Sequence, residues 1–381
     1  MQPIISIGFR LFFLGASVHA LLLMVYWAAI FSLGLNIDLK NISIFQWHAH
    51  ETIFGYAGAV IAGFLLTAVT NWTNEKTLTG MPLLMVFSLW LSARLIWFIA
   101  PALQLICGLL DLLFLLMILI AIIRPIIKTK KWPHLVIAAK LIIIIIANAI
   151  FYAGSLGFLS QGVYLGIYLG LIIEVALILT ILRRIFPMFA QLGLGLSHPL
   201  PSPAWIDLAS IILSLAWMIM FLYDSTSVIT ALLSLMFFII LSIRLWYWYK
   251  PTLWQVPLLW SLYMGLAFIC MGYALLSASY YLPYFHYFGI HALTYGGIGL
   301  VTFSMMARVS LGHTGHNVRA KNPKLTIALV IFTTGIVFRV LMPLFLPQYL
   351  DWWLMGAQLL WTLGFGCFLA IFTPILLKPS Q

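Results

Sequence analysis

Apolar runs of about 20 residues, each long enough to cross the hydrocarbon core of a bilayer, repeat along the whole chain. Short polar or proline-bearing turns separate them. Twelve such runs are read at 10–34, 47–71, 81–100, 102–123, 134–156, 160–182, 204–222, 227–248, 255–279, 284–308, 325–345 and 350–374. Little beyond Pro101 parts the third from the fourth. The pattern predicts an all-α polytopic integral membrane protein of about twelve transmembrane helices, residues 1–381 forming a single transmembrane helical domain. The first run is longer than the apolar core of a signal peptide and has no small-residue cleavage site after it, so it is expected to remain as the first span.

Lysine and arginine orient the spans. With the amino terminus inside, the inside loops carry Lys76, then Arg124, Lys128, Lys130 and Lys131, then Arg183 and Arg184, Lys250, and Arg319, Lys321 and Lys324, with Lys378 near the end. The outside loops hold little beyond Lys40. Both termini are therefore expected to be cytoplasmic.

Composition narrows the function classes. The chain is 64% hydrophobic and only 7% charged, against about 25% charged in soluble domains. Its net charge of +11 is read as cytoplasmic loops facing anionic lipid, not as a nucleic-acid surface. Cys107, Cys270 and Cys367 each lie in an apolar run without a C-x-x-C pair, which excludes a thiolate metal site and leaves them as small core residues. No Walker sequence, G-x-S-x-G or dinucleotide fingerprint occurs.

The informative chemistry begins at Trp47-His48-Ala49-His50-Glu51, at the mouth of the second run. Ionisable groups in hydrocarbon are costly, and imidazole is the commonest side-chain ligand for iron and copper. On a continuous helix His48 and His50 point about 200° apart, which suits two centres on opposite flanks, whereas His48 and Glu51 share a face. The plainer alternative is a pair of interfacial histidines. Trp47 and Trp72 are spaced as the two aromatic belts of the span, and Gly55, Ala59 and Gly63 form a stripe open to a neighbouring helix or a flat cofactor.

The tenth run repeats the theme with His286 and His291 followed by Gly296 and Gly297. By helix length His291 lies at the depth of His50, with His286 nearer the interface. Arg94 and Arg339 fall in the same outer layer. Each either snorkels to the interface, pairs with a protein acid such as Asp111, or clamps a haem propionate. In the sixth run Glu174 follows the stripe Gly162, Gly166 and Gly170; it is read as a proton carrier, a hydrogen-bond acceptor or a neutral buried acid. His19 is ambiguous, and Asn148 reads as an interhelical hydrogen-bond partner; after Arg308, Gly312 and Gly315 suggest a structured turn, where His313 and His316 either bind metal or are ordinary residues of a polar loop, the reading preferred.

Several segments together resemble the NnrS family of membrane proteins. They are Gly8-Phe9-Arg10-Leu11-Phe12-Phe13-Leu14, Trp47 to Thr67, Asn71-Trp72, Arg183-Arg184 to Phe189, His291-Ala292-Leu293-Thr294, and Thr302 to Gly315. Leu11, Thr70 and His316 depart from the family pattern, where Pro, Pro and Arg are expected. The resemblance implies twelve spans, bound haem and copper, the inner membrane of a bacterium, and a role in tolerating nitric oxide and nitrosative stress.

Residue reading and resemblance converge on an outer-leaflet site built from the second and tenth helices. Metal ligands are expected from His48, His50 and His291, with His286 as a further candidate, and haem contacts from Arg94 and Arg339. Glu51 is expected to be a proton carrier, ligand or ligand partner. The leading reading is a nitric oxide reductase-type oxidoreductase that draws electrons from quinol or another donor. The alternatives are a haem or copper carrier, sensor or scavenger without turnover, and a transporter for metal or a small anion.

Overall fold

The computed structural model describes residues 2–37 and 39–379. Among them there are helices and turns but no strand. Twelve helices are long and apolar enough to cross a membrane: α1 Gly8–Leu33, α2 Ile44–Thr73, α3 Gly80–Ile99, α4 Gln104–Lys128, α5 Trp132–Ser155, α6 Gly162–Leu194, α7 Ala204–Tyr223, α8 Val228–Trp248, α9 Pro257–Ala278, α10 Phe285–His313, α11 Pro323–Phe345 and α12 Pro347–Leu377. Each predicted run corresponds to one of these in order.

The differences lie at the ends, and local chemistry explains them. α2 begins before Trp47 because Ser43 and Gln46 form a capping box: the Ser43 side chain accepts from the Gln46 amide at 3.2 Å, and the Gln46 side chain accepts from the Ser43 amide at 2.8 Å. α6 runs through Pro187 to Leu194, well past the predicted end at 182. α10 continues beyond Arg308 to His313, so of the two glycines expected to make the turn Gly312 lies within the helix and Gly315, whose φ of 85° is left-handed, makes it.

Backbone proximity divides the chain into two compact units, one of Met1–Glu174, Met306–Val318 and Phe365–Gln381, the other of Val175–Met305 and Arg319–Gly364. In the first unit, α1 packs on α2, α3 on α4 and α4 on α5. Phe9 donates its amide to Thr67 Oγ1 at 3.3 Å, tying the start of α1 to the far part of α2. Arg10, 1% exposed, donates to the carbonyls of Leu376 at 2.7 Å and Lys378 at 2.5 Å. Its guanidinium thus caps the last turn of α12, where free carbonyls and the helix dipole favour a cation, and puts the start of α1 beside the end of α12. Glu75 and Lys128 pair at 2.8 Å, joining two loops that the charge pattern assigns to one side.

In this unit the glycine stripe of α6 is a packing device: a Cβ on Gly162 would press on the backbone of Gly154, and one on Gly166 on the backbone of Phe151. Trp47 is a correction. It is fully buried against Tyr26 and Phe98, so it faces protein and not an interfacial belt.

In the second unit, α8 packs on α9 and α9 on the middle of α10. The close neighbour that Gly296 and Gly297 admit is α9, through Phe268 and Ile269. Asp207 at the head of α7 receives Arg183 at 3.2 Å and Arg244 at 2.9 Å, again joining ends assigned to one side.

Candidate functional site

Three spanning helices change hydrogen-bonding pattern where they carry the residues singled out in the sequence. α2 becomes a π-helix over Glu51–Ala57, immediately after His50. α10 does so over Ala292–Gly299, immediately after His291. α11 does so over Val337–Leu341, around Arg339. Single π turns widen a helix and re-aim its side chains, and they concentrate at functional sites.

The first unit holds a buried polar cluster. Glu51, 0% exposed, is its centre. Its Oε1 accepts from Arg94 Nη1 at 2.5 Å and lies 3.0 Å from His50 Nδ1. Its Oε2 is 3.5 Å from His19 Nε2, which also reaches the Glu51 carbonyl at 3.4 Å. Arg94 Nη2 binds both carboxylate oxygens of Asp111, the planar fork that suits guanidinium and carboxylate. Asp111 accepts from Tyr152 Oη at 2.7 Å, and Trp97 Nε1 donates to that hydroxyl at 3.2 Å. On its far side His50 Nε2 stands 3.1 Å from Asn148 Oδ1, and its ring stacks on Phe151 at 4.1 Å.

The π segment makes this closure possible. Gly55 passes beside the cluster so tightly that a Cβ there would lie 2.7 Å from Arg94 Nη1 and 2.9 Å from His19 Nε2. Its carbonyl is taken by Trp90 Nε1 at 2.9 Å. The Gly55, Ala59 and Gly63 stripe therefore serves protein packing: Gly55 receives Arg94 and His19, and Gly63 receives Phe12 and Phe13.

Two carboxylates facing one guanidinium leave one surplus negative charge in a dry site. One more positive charge, either a proton on an imidazole or a bound cation, restores neutrality. Arg94 is only 2% exposed, so it does not snorkel; of the readings open to it, the protein-acid pairing is the one formed.

The imidazole that meets Glu51 is that of His50, not of His48, its predicted face-mate. α-Helical spacing places Glu51 and His48 on one face, and that geometry holds up to Glu51, whose amide still reaches the Trp47 carbonyl; the carboxylate is instead taken by Arg94 and the adjacent His50 ring. The ring of His48 lies on Trp27, centroids 4.3 Å apart.

The second unit holds a smaller arrangement. His291 Nδ1 is 2.8 Å from the carbonyl of Tyr287 one turn earlier, which fixes the proton on Nδ1 and presents Nε2 as an acceptor. Arg339 Nη2 is 2.9 Å from that Nε2. No carboxylate among the described residues pairs with Arg339. His286 stacks on Phe221 at 6.0 Å.

Sequence reasoning offered Asp111 as an acid partner for Arg94, which the structure bears out, named Asn148 and His19 without placing them in the cluster, and missed Tyr152, Trp90 and Trp97. Tyr152 was within reach of it, since it stands four residues after Asn148 on the same face of α5. Of the loop histidines, His313 Nε2 is 3.5 Å from Asn71 Nδ2 and His316 Nδ1 is 2.8 Å from Thr314 Oγ1, in keeping with a structural role.

The family model of the NnrS protein matches residues 3–380, nearly the whole chain. The chain belongs to the NnrS family. Among curated proteins none matches it. Membership and the twelve spanning helices together make this a multi-pass membrane protein of a family associated with haem and copper.

The donor sets meet these two cofactors differently. Haem needs an axial ligand and cations for its propionates. His291, with Nε2 presented as an acceptor, and Arg339, a cation without an acid partner among the described residues, have that chemistry. Copper held by the protein alone needs several donors together, and among the described residues no group of three His, Cys, Asp or Glu is so arranged. Both ring nitrogens of His50 already face protein groups, and Arg94 is occupied by two acids.

Proposed function

We propose that this NnrS-family protein is a haem-binding membrane protein of the bacterial inner membrane that takes up nitric oxide and reduces it to nitrous oxide. The observation that carries the haem assignment is the pairing of His291 with Arg339. His291, its Nδ1 held by the Tyr287 carbonyl, would hold the haem through Nε2, and Arg339, whose Nη2 lies 2.9 Å from Nε2 and 3.2 Å from Nδ1, would hold a propionate. When bound, haem supplies an iron that takes up nitric oxide and exchanges electrons.

This chain's own residues would do the rest. Tyr287 orients His291 through Nδ1. Arg339 turns from Nε2 to the anionic edge of the cofactor. Conversion of two nitric oxide molecules to nitrous oxide and water consumes two electrons and two protons. Quinol or another reduced partner is the proposed electron source. Glu51 is proposed to hold and hand on protons: it lies between two imidazoles, in a cluster whose surplus negative charge attracts them. Nitric oxide is small, neutral and soluble in lipid, so it needs no polar entry path. Copper is carried over from the family, and no step is drawn through it.

A second reading has an observation in its favour. The pairing of His291 with Arg339 would serve equally a haem protein that scavenges, senses or carries without turnover. Haem and metal analysis of purified protein, followed by anaerobic assay of nitrous oxide with a strong electron donor, separates the two. Nitrous oxide formation supports the reductase; bound haem without gas formation supports the scavenger.

A further inference from the structure

The second unit carries a groove that no role above uses. Its volume is about 430 Å3, and it lies where α9 and α11 begin. The lysine and arginine pattern assigns both of these ends to the cytoplasmic side. One wall comes from the turn before α9 and the first residues of that helix, the other from the loop before α11 and its first turns.

Its lining is rich in donors and has no carboxylate. Lys321 is exposed and pairs with no acid among the described residues. The indole N–H groups of Trp254 and Trp260 and the Gln255 amide have no hydrogen-bond partner there either. Asn322 turns Oδ1 to the Leu325 amide at 3.1 Å, which leaves its Nδ2 as a donor. A cation together with several N–H groups suits an anion that offers oxygen acceptors, and it repels a metal ion.

The rest of the surface is apolar. Trp254 is 48% exposed and Ile327 58%; Val330, three residues on along the same face of α11, is 51% exposed. On a spanning helix such a face meets hydrocarbon, and indoles settle at headgroup depth. A free phosphate would use none of this, whereas a phospholipid would use both halves.

We propose that this groove binds an anionic phospholipid of the cytoplasmic leaflet, with Lys321 and the neighbouring N–H donors on the phosphate oxygens and an acyl chain along Ile327 and Val330. The charge of Lys321 selects a lipid with net negative charge over a zwitterionic one, whose own cation it repels.

The test is native mass spectrometry of the full-length protein in detergent, titrated with phosphatidylglycerol or with phosphatidylcholine. It needs neither haem nor nitric oxide, so it stands apart from the reductase reading. Wild type is expected to retain phosphatidylglycerol under conditions that strip phosphatidylcholine. Lys321→Ala, on an exposed loop outside the helices, should weaken that binding about tenfold or more, and Lys321→Arg should keep it. Lys131→Ala removes an exposed lysine of the first unit, on the side given by the same charge pattern, and should leave binding unchanged. Inorganic phosphate added with the lipid should not displace it. Equal retention of the two lipids, unchanged binding in Lys321→Ala, equal weakening in Lys131→Ala and Lys321→Ala, or displacement by inorganic phosphate would each overturn the proposal.

Discussion

Nη1 of Arg94 lies 2.5 Å from Oε1 of Glu51, and the other arm of the same guanidinium grips Asp111. One cation on α3 thus binds an acid from α2 and an acid from α4, all within the buried interior. The arrangement sets the charge of the site.

Arg94→Leu should destabilise the fold strongly. Removing one partner of a buried ion pair leaves uncompensated charge and costs about 3–5 kcal/mol, and here two acids lose their partner. Arg94→Lys should recover little, because an ammonium cannot fork across Asp111 and still reach Glu51. Thermal unfolding of the purified variants checks this; a melting temperature equal to wild type in Arg94→Leu would show that the cluster does not hold the helices together.

Gly55→Ala should also be costly, since its Cβ would lie 2.7 Å from Arg94 Nη1 and 2.9 Å from His19 Nε2, both confined. Gly58→Ala, three residues along the same helix, should be close to neutral or stabilising, because its Cβ enters open space and alanine favours the helix by about 1 kcal/mol. Comparing melting temperatures of the two tests whether closeness to the cluster, not glycine content, governs this segment.

Arg339→Leu should lower the haem content of the purified protein while His291 remains, and Arg339→Lys should restore part of it. Haem-to-protein ratios check the pair. Full haem occupancy in Arg339→Leu would remove the propionate contact.

Glu51→Gln preserves size and hydrogen bonding but cannot pass on a proton. It should retain haem and lose nitrous oxide formation. Unaltered gas production would take Glu51 out of the proton path.

Fusions near Asn36 and after Ser380, the latter outside the described residues, should report opposite sides, with the carboxyl end cytoplasmic. Equal sides would contradict both the charge pattern and the capping of α12 by Arg10.

Much of this was legible in the sequence. Hydrophobic runs gave every span, because hydrocarbon allows few alternatives to a helix about 20 residues long. His50, Glu51, Arg94 and Asp111 stood out as ionisable groups in apolar runs. What periodicity could not supply was the tertiary partner: Glu51 shares a helical face with His48, but its carboxylate meets Arg94 and the neighbouring His50 ring. The start of α2 was within reach, since Ser43 and Gln46 have capping-box spacing. The fate of Trp47 was not: an aromatic residue at a span end looks alike whether it faces lipid or the rings of Tyr26 and Phe98. Trp97 entered the site through a tertiary contact that no local pattern encodes.

The most direct test of the central claim is an anaerobic titration of the purified, reduced protein with nitric oxide, followed by its optical spectrum. The account predicts a haem spectrum before addition, a saturable shift on adding nitric oxide, and loss of both in His291→Ala. A protein purified without haem, or a haem spectrum indifferent to nitric oxide, would contradict it.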